Sequence, residues 1–323
     1  MPRLVATLAL SLLLPPSAQA AGTADLDASG VLYTGDAASN AVTFFDEPAG
    51  GQTRVTIAEL GISETSGPDA DACQDSGNQV VCVIGDLERV RATFGGGNDV
   101  ASYEGERLDH ELEGEGGNDT LTGSEATLGV AGFPIGDLLR GGPGTDTLRG
   151  RDGGDVLEAG GGDGDDVDAG LGNDELVLRV ADGAGDVLRG GPGADRADLQ
   201  AFGAAFANLA AGSVSALDGS RRHTLDGVED LLGSDDGDRL QGTGGFNRID
   251  GAEGGDEIEG NVGADLLEGS GGDDTIFARD GINDRVLGGT GADTCALDQL
   301  DEFEGCENPL LGLVPVFGTP PLP

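Results

Sequence analysis

Gly269-Ser270-Gly271-Gly272-Asp273-Asp274-Thr275-Ile276 is a glycine-rich turn that runs into an aspartate with an apolar residue two places on, and Gly141-Gly142-Pro143-Gly144-Thr145-Asp146-Thr147-Leu148 has the same form. Outward from the first stretch, aspartates fall at Asp265, Asp256 and Asp238, with Asn247 at the missing step, so the interval is nine. After a one-residue insertion the series continues through Asp284 and Asp293. Around the second stretch it runs Asp137, Asp146, Asp155, then Asp165 after an insertion, Asp174, Asp186 after a longer one, and Asp195. Upstream, Asp119 lies eighteen residues before Asp137, and Asp99 twenty before that. The slot two residues after each aspartate is apolar: Leu121, Leu139, Leu148, Leu157, Val167, Leu176 and Leu188, then Leu240, Ile258, Leu267, Ile276 and Val286, with Ile249 after Asn247 and the small Ala101 and Ala197 in the same place. A fixed period of this length marks a repeat architecture.

Each unit reads as a tight turn followed by a very short strand. Glycine permits the backbone angles of such a turn, and a strand of about three residues points one side chain inward. One unit cannot bury a lone Leu or Ile. Stacked units place these residues in a continuous column and pair their strands in parallel ladders. The same stacking brings the aspartates of neighbouring turns together, where they repel unless a cation lies between them.

Composition points the same way. The 323 residues include 61 Gly, 60 Asp+Glu and 17 Lys+Arg, for a formal charge of −43. Nucleic acids and anionic membrane surfaces need a basic patch and usually stacking aromatics, whereas here aromatics are 4% and Trp is missing. Cationic partners, metal ions above all, remain. High net charge alone would describe a solvated disordered chain, but 37% of residues are hydrophobic and they fall in phase. Neutralisation of the charge therefore decides whether the chain folds.

Residues 1–20 have the three parts of an export signal: Arg3, an uncharged run over 4–14, and Ala18-Gln19-Ala20 ahead of the expected cleavage. The run falls short of the roughly 20 residues that cross a bilayer. Loss of Arg3, the one charged residue removed, takes the charge from −43 to −44. Four cysteines fit an oxidising compartment. They form two local sets, Cys73 with Cys82 and Cys295 with Cys306, each bracketing a polar turn; three connectivities are open to four cysteines. With no Cys-x-x-Cys and only His110 and His223 at hand, a zinc site is disfavoured.

The nonapeptide resembles the hemolysin-type calcium-binding repeat of repeats-in-toxin proteins, Gly-Gly-x-Gly-x-Asp-x-(apolar)-x. The resemblance covers about 200 residues, 94–296, with one break. It implies an all-β fold, a right-handed parallel β-roll or β-helix solenoid in which two nonapeptides make a coil and Ca²⁺ lies between turns, held by aspartate carboxylates and loop carbonyls. Carried over residue by residue, the implied ligands are Asp99, Asp119, Asp137, Asp146, Asp155, Asp165, Asp174, Asp195, Asp238, Asp256, Asp265, Asp274, Asp284 and Asp293. Asp186 follows a loop without paired glycines, and Asn247 offers only a neutral amide oxygen.

The expected organisation is a signal peptide at 1–20, an N-terminal β cap at 21–93, a first calcium array at 94–198, a non-metal spacer coil at 199–234, a second array at 235–296, and a C-terminal cap and tail at 297–323. In the spacer, alternating apolar residues are expected to continue the strands, Phe202 and Phe206 to belong to core or cap, and Arg221, Arg222 and His223 to form a solvated loop. The proline-rich tail is too short and broken to span a membrane. Resembling proteins exported by type I machinery usually end in an uncleaved signal and hold few cysteines; this chain departs from both habits, which favours Sec-type export to the extracellular space.

No Gly-x-Ser-x-Gly elbow, His-Glu-x-x-His, EF-hand loop or Gly-Lys-Ser/Thr phosphate loop is present. Carboxylate pairs at glycosidase spacing would arise by chance in so acidic a chain. The expectation is a non-enzymatic calcium-binding scaffold. A calcium-dependent adhesin or glycan-binding module, with cell-surface or matrix glycans as partners, is the alternative, and a carbohydrate-active enzyme comes third.

Overall fold

The computed structural model describes residues 23–27, 30–35, 39–49, 52–58, 63–64, 73–75, 79–84, 89–104, 109–125, 136–179 and 183–311. The signal expected at 1–20 and the tail from 312 onward lie outside the described residues. Among those residues there is no helix, hence none long and apolar enough to cross a membrane.

Short strands alternate between two parallel sheets, so two nonapeptides complete one coil. One sheet, here the first, runs through Asp109–Glu113, Leu138–Arg140, Val156–Glu158, Glu175–Arg179, Arg196–Ala201, Asp230–Leu232, Arg248–Asp250, Leu266–Glu268, Arg285–Leu287 and Glu302–Glu304. The second runs through Val100–Tyr103, Thr120–Thr122, Thr147–Asp152, Asp166–Leu171 and Val187–Arg189, and after the spacer through Arg239–Gln241, Glu257–Glu259, Thr275–Ala278 and Thr294–Leu297. The stacking is that expected from the period of nine, and the β-roll is that implied by the resemblance.

Register sets the core. Leu139 pairs with Leu157, Leu157 with Leu176, Ile249 with Leu267 and Leu267 with Val286 along the first sheet. Leu121 pairs with Leu148, Leu148 with Val167, Leu240 with Ile258 and Ile258 with Ile276 along the second. All are buried, and each contributes about 2 kcal/mol.

The turns stack as tightly as the strands: Gly144 N donates to Gly161 O at 2.8 Å, and Gly272 N to Thr290 O at 2.8 Å. Backbones come so close that side chains are excluded. A Cβ on Gly272, whose φ is +134°, would lie 1.2 Å from the carbonyl oxygen of Gly254 on the preceding coil.

The N-terminal segment continues both sheets. Gly30–Thr34 pairs in parallel with Arg89–Thr93, and Ala41–Ala49 with Val100–Tyr103. Gln52–Ala58, Gln79–Ile84 and Cys73–Asp75 extend the second sheet antiparallel. Here the narrow aliphatic column widens into an aromatic core, with Tyr33 set edge-on to Phe44 and Phe44 stacked on Tyr103. Cys73 and Cys82 face each other in strand register; their side chains lie outside the described part. At the other end Cys295 fills an inward slot and is disulfide-bonded to Cys306 across a Cα separation of 5.8 Å.

The spacer differs from expectation. Apolar residues do continue the column, with Leu225 in register with Leu188 and Ala207 with Leu240, but Ser213–Ala216 enters the second sheet antiparallel to both Ala205–Asn208 and His223–Asp226. Phe202 is core, whereas Phe206 points outward. His223 is also core, 1% exposed, so the solvated-loop reading fails for it. Its neighbour Arg221 lies over the Phe202 ring, 4.5 Å from the centroid, a cation–π contact that draws this segment inward.

On the outer faces arginines bridge acidic residues of adjacent coils, as Arg140 does with Glu111 at 2.9 Å, Glu113 at 2.7 Å and Glu158 at 3.4 Å. Half-exposed pairs contribute little individually, but they lower repulsion between stacked acidic strands.

Candidate metal centre

Each expected ligand stands at the last turn position before a strand. All fourteen, and Asp186 with them, are no more than 2% exposed. They do not point into solvent as loop carboxylates usually do.

One oxygen of each carboxylate is committed to the backbone. Asp119 Oδ1 accepts the amide of Asp99 at 2.8 Å, Asp146 Oδ1 that of Asp119 at 2.7 Å, Asp165 Oδ1 that of Asp146 at 2.7 Å, and Asp186 Oδ1 that of Asp165 at 2.9 Å. Along the first sheet Asp155 accepts from Asp137 at 2.7 Å, Asp174 from Asp155 at 2.8 Å, and Asp195 from Asp174 at 2.9 Å. The second array repeats the pattern: Asp256, Asp274 and Asp293 in one ladder, Asp265 and Asp284 in the other. The aspartates thus form two ladders, one beside each sheet.

The other oxygen is different. Oδ2 of Asp119, Asp146, Asp155, Asp165, Asp174, Asp195, Asp256, Asp265, Asp274, Asp284 and Asp293 is buried and has no hydrogen-bond partner. In eight of the eleven it sits over the glycine five residues earlier: a Cβ on Gly141 would lie 2.5 Å from Asp146 Oδ2. In those turns the contact leaves no room for a Cβ, whereas Ala169 and Arg279 hold the place before Asp174 and Asp284. Among the described residues no three His, Cys, Asp or Glu side chains converge into a metal cage. The oxygen donors close to these carboxylates are the turn carbonyls, a hard donor set of the kind that suits calcium.

Burial opposes charge on these groups. It pushes Asp155 up to about 8, helped by its neighbours Asp137 and Asp174. Asp146, Asp256 and Asp284 rise to about 7, and Asp165, Asp195, Asp265 and Asp274 to about 6. Backbone amides from the adjacent coil pull the other way without cancelling the effect. Between an unfolded value near 3.9 and these folded values, the folded chain binds more protons, so its metal-free stability falls as pH rises through about 6 to 8. Chelated protein should therefore show more β structure at pH 5.5, where ordinary carboxylates remain ionised, than at pH 8. Circular dichroism at the two pH values checks this, and equal or weaker β signal at pH 5.5 contradicts it.

Several residues of the ladders escaped the sequence reading. Asp301 continues the first-sheet ladder by accepting the amide of Asp284 at 3.1 Å; Phe303, two residues on, was the signal. Glu229 and Glu307 stand in for aspartates, accepting the amides of Asp195 at 3.0 Å and Asp293 at 2.9 Å. The two histidines also meet ladder aspartates: His110 Nδ1 lies 2.5 Å from Asp137 Oδ1, and His223 Nδ1 lies 2.8 Å from Asp186 Oδ2. No spacing rule connects them.

The family model of the RTX calcium-binding nonapeptide repeat (4 copies) matches residues 111–126, 132–164, 140–176, 232–267, 250–283 and 259–295. No curated protein matches the chain. The matched stretches fall in both arrays, and the hydrogen-bonded ladders extend the same geometry to Asp99, Asp186 and Asp195.

Proposed function

From a chain that carries RTX calcium-binding nonapeptide repeats, we propose a calcium-built extracellular scaffold whose solenoid forms as the metal binds. The observation that carries this reading is the row of eleven buried carboxylate oxygens without partners. An apolar interior does not tolerate such groups charged. A hard cation satisfies them, and the stacked turns hold it with their carbonyls.

Bound calcium supplies positive charge and a demand for about six to eight oxygen ligands. The chain's own residues do the rest: Oδ1 locks each aspartate to the neighbouring coil, in most turns a glycine beneath Oδ2 leaves it uncovered, and the apolar residue two places on anchors the turn to the core. Export through the signal at 1–20, and the division into cap, two arrays, spacer and C-terminal cap, belong to the same proposal. A structural rather than catalytic role follows from a site chemistry spread evenly over many turns.

The alternative, a calcium-dependent adhesin or glycan-binding module, is favoured by one feature. A cavity of about 160 Å³ on the outer face is lined by Phe206, Arg239, Gln241, Glu257 and Glu259, an aromatic ring among planar hydrogen-bonding groups.

Equilibrium dialysis with ⁴⁵Ca²⁺ tests the calcium reading. About ten ions are expected per chain, with dissociation constants in the range of about 10⁻⁴ to 10⁻³ M found in extracellular calcium modules. Binding of one ion or none at 10 mM calcium, taken as roughly ten times the top of that range, would overturn it.

A further inference from the structure

The ladder turns come in two forms. In nine of the eleven open turns the residue four before the aspartate has positive φ, as at Glu115 (64°), Arg151 (79°), Ala252 (71°), Asn261 (68°), Ser270 (67°) and Gly142 (98°); before Asp165 and Asp284 the positive-φ residue is shifted by one, to Gly160 (98°) and Gly281 (89°). In each of these turns the aspartate Oδ2 has no hydrogen-bond partner. A left-handed residue at that point turns its N–H away from the carboxylate.

In the closed form the chain's own groups reach the second oxygen. Ser234, four before Asp238 and absent from the positive-φ residues, donates its amide to Asp238 Oδ2 at 2.7 Å and its hydroxyl at 3.1 Å. Asp238 Oδ1 takes the amide of Ala205 at 2.6 Å. Asp137 Oδ2 accepts the amide of Ser124 at 2.7 Å, while His110 holds its Oδ1. Asp186 Oδ1 accepts two amides, those of Gly164 and Asp165, each at 2.9 Å, and the His223 ring stands against Oδ2 with Nδ1 2.8 Å away but not in hydrogen-bond geometry. Asn247, where no carboxylate stands, is closed in the same way by the amide of Thr243 at 2.7 Å and its hydroxyl at 3.1 Å.

The closed turns lie at array ends. Asp137 opens the first-sheet ladder, Asp186 closes the second-sheet ladder of the first array, and Asp238 opens that ladder in the second array. Each of these turns has a Gly/Asp turn stacked on one side only: Asp155 beside Asp137, Asp165 beside Asp186 and Asp256 beside Asp238. We propose that Asp137, Asp186 and Asp238 are metal-free staples, with His110, Ser124, His223 and Ser234 occupying the coordination space that calcium takes at the open turns. This rests on the calcium reading above and narrows it: at Asp137 and Asp238 both carboxylate oxygens already have hydrogen-bond donors, and at Asp186 two amides hold Oδ1 while the buried His223 ring fills the space beside Oδ2, so an ion would have to displace buried groups. One end of a ladder is then held without metal at each of these three places, while Asp195 and Asp293, which also stand at array ends, keep an open Oδ2.

Calcium counting by ⁴⁵Ca²⁺ dialysis on full-length variants separates the two claims. Asp137→Asn, Asp186→Asn and Asp238→Asn should keep the wild-type number of ions, whereas Asp155→Asn and Asp265→Asn should each lose at least one. Loss of an ion in any of the first three overturns the staple assignment while the calcium reading stands. If all five keep the wild-type number, the ladder carboxylates are not what holds calcium, and the distinction between open turns and staples falls; one ion or none in the wild-type protein is what overturns the calcium reading itself. Crystals of the calcium-loaded wild-type protein decide without any variant: an ion bonded to Asp137, Asp186 or Asp238 refutes the assignment, and ions bonded only at open turns support it.

Discussion

Excess chelator should abolish the β far-UV spectrum of this chain at pH 8, and returning calcium should restore it with a midpoint at about 10⁻⁴ to 10⁻³ M. The size of the effect follows from the buried oxygens. An unsatisfied buried acceptor costs about 1–3 kcal/mol, more when charged. For the eleven without partners the total reaches about 10–30 kcal/mol at that rate. Folded domains exceed their unfolded states by only about 5–15 kcal/mol, so the metal-free solenoid is expected to unfold at a pH where these carboxylates ionise.

Charge acts in the same direction. Without residues 1–20 the chain carries −44, and compaction of such a chain is opposed by self-repulsion. About ten calcium ions, the number suggested by the open turns, would bring that to roughly −24 while placing the positive charge between coils. Metal-binding free energy then becomes folding free energy. A β spectrum unchanged in chelator, with calcium removal verified by mass spectrometry, would show that the solenoid stands without metal.

A single methyl group at Gly272 should break the second array. Gly272→Ala places Cβ 1.2 Å from a backbone oxygen of the neighbouring coil in a residue at φ +134°. Neither the backbone atom nor the angle can be changed without moving a coil, and strain of this kind falls among the few causes of destabilisation above about 4 kcal/mol. Because stability in stacked repeats is a sum of neighbour terms, the damage should stay local. Hydrogen exchange should accelerate around 250–297 and two or more calcium ions should be lost, with the first array unchanged. Gly244→Ala is the control: nothing lies within 4 Å of its added Cβ, and its effect should stay within about 0.5 kcal/mol. Equal behaviour of the two variants would mean that turn contact does not limit stability.

Much of this architecture was legible in the residues because its code is local. A turn that admits only glycine, an aspartate that must enter it, and one inward apolar residue recur every nine positions, and each can be read without knowing what lies across the solenoid. Leu148, Ile258 and Leu267 are core, and Asp146 and Asp265 are buried in the turns, where the period places them. The doubt attached to Asp186 also had a local cause, the loop without paired glycines, although the group that meets its carboxylate, His223, was read as solvated.

What depends on the neighbouring coil was not legible. The spacer's antiparallel strand has ordinary alternating composition, and only pairing on both sides shows its direction. Ser234 and Ser270 hold the same place, four residues before an aspartate. Ser270 takes a φ of 67° and gives its hydroxyl to Asp250 of the preceding coil at 2.8 Å, leaving Asp274 open. Ser234 ends the spacer and turns its amide and hydroxyl onto Asp238 instead. The sequence by itself determined the period, the inward column and the acidic turns; the tertiary structure alone decided which carboxylates are left with an unpaired oxygen, because a serine's choice between its own turn and the next coil is made by stacking.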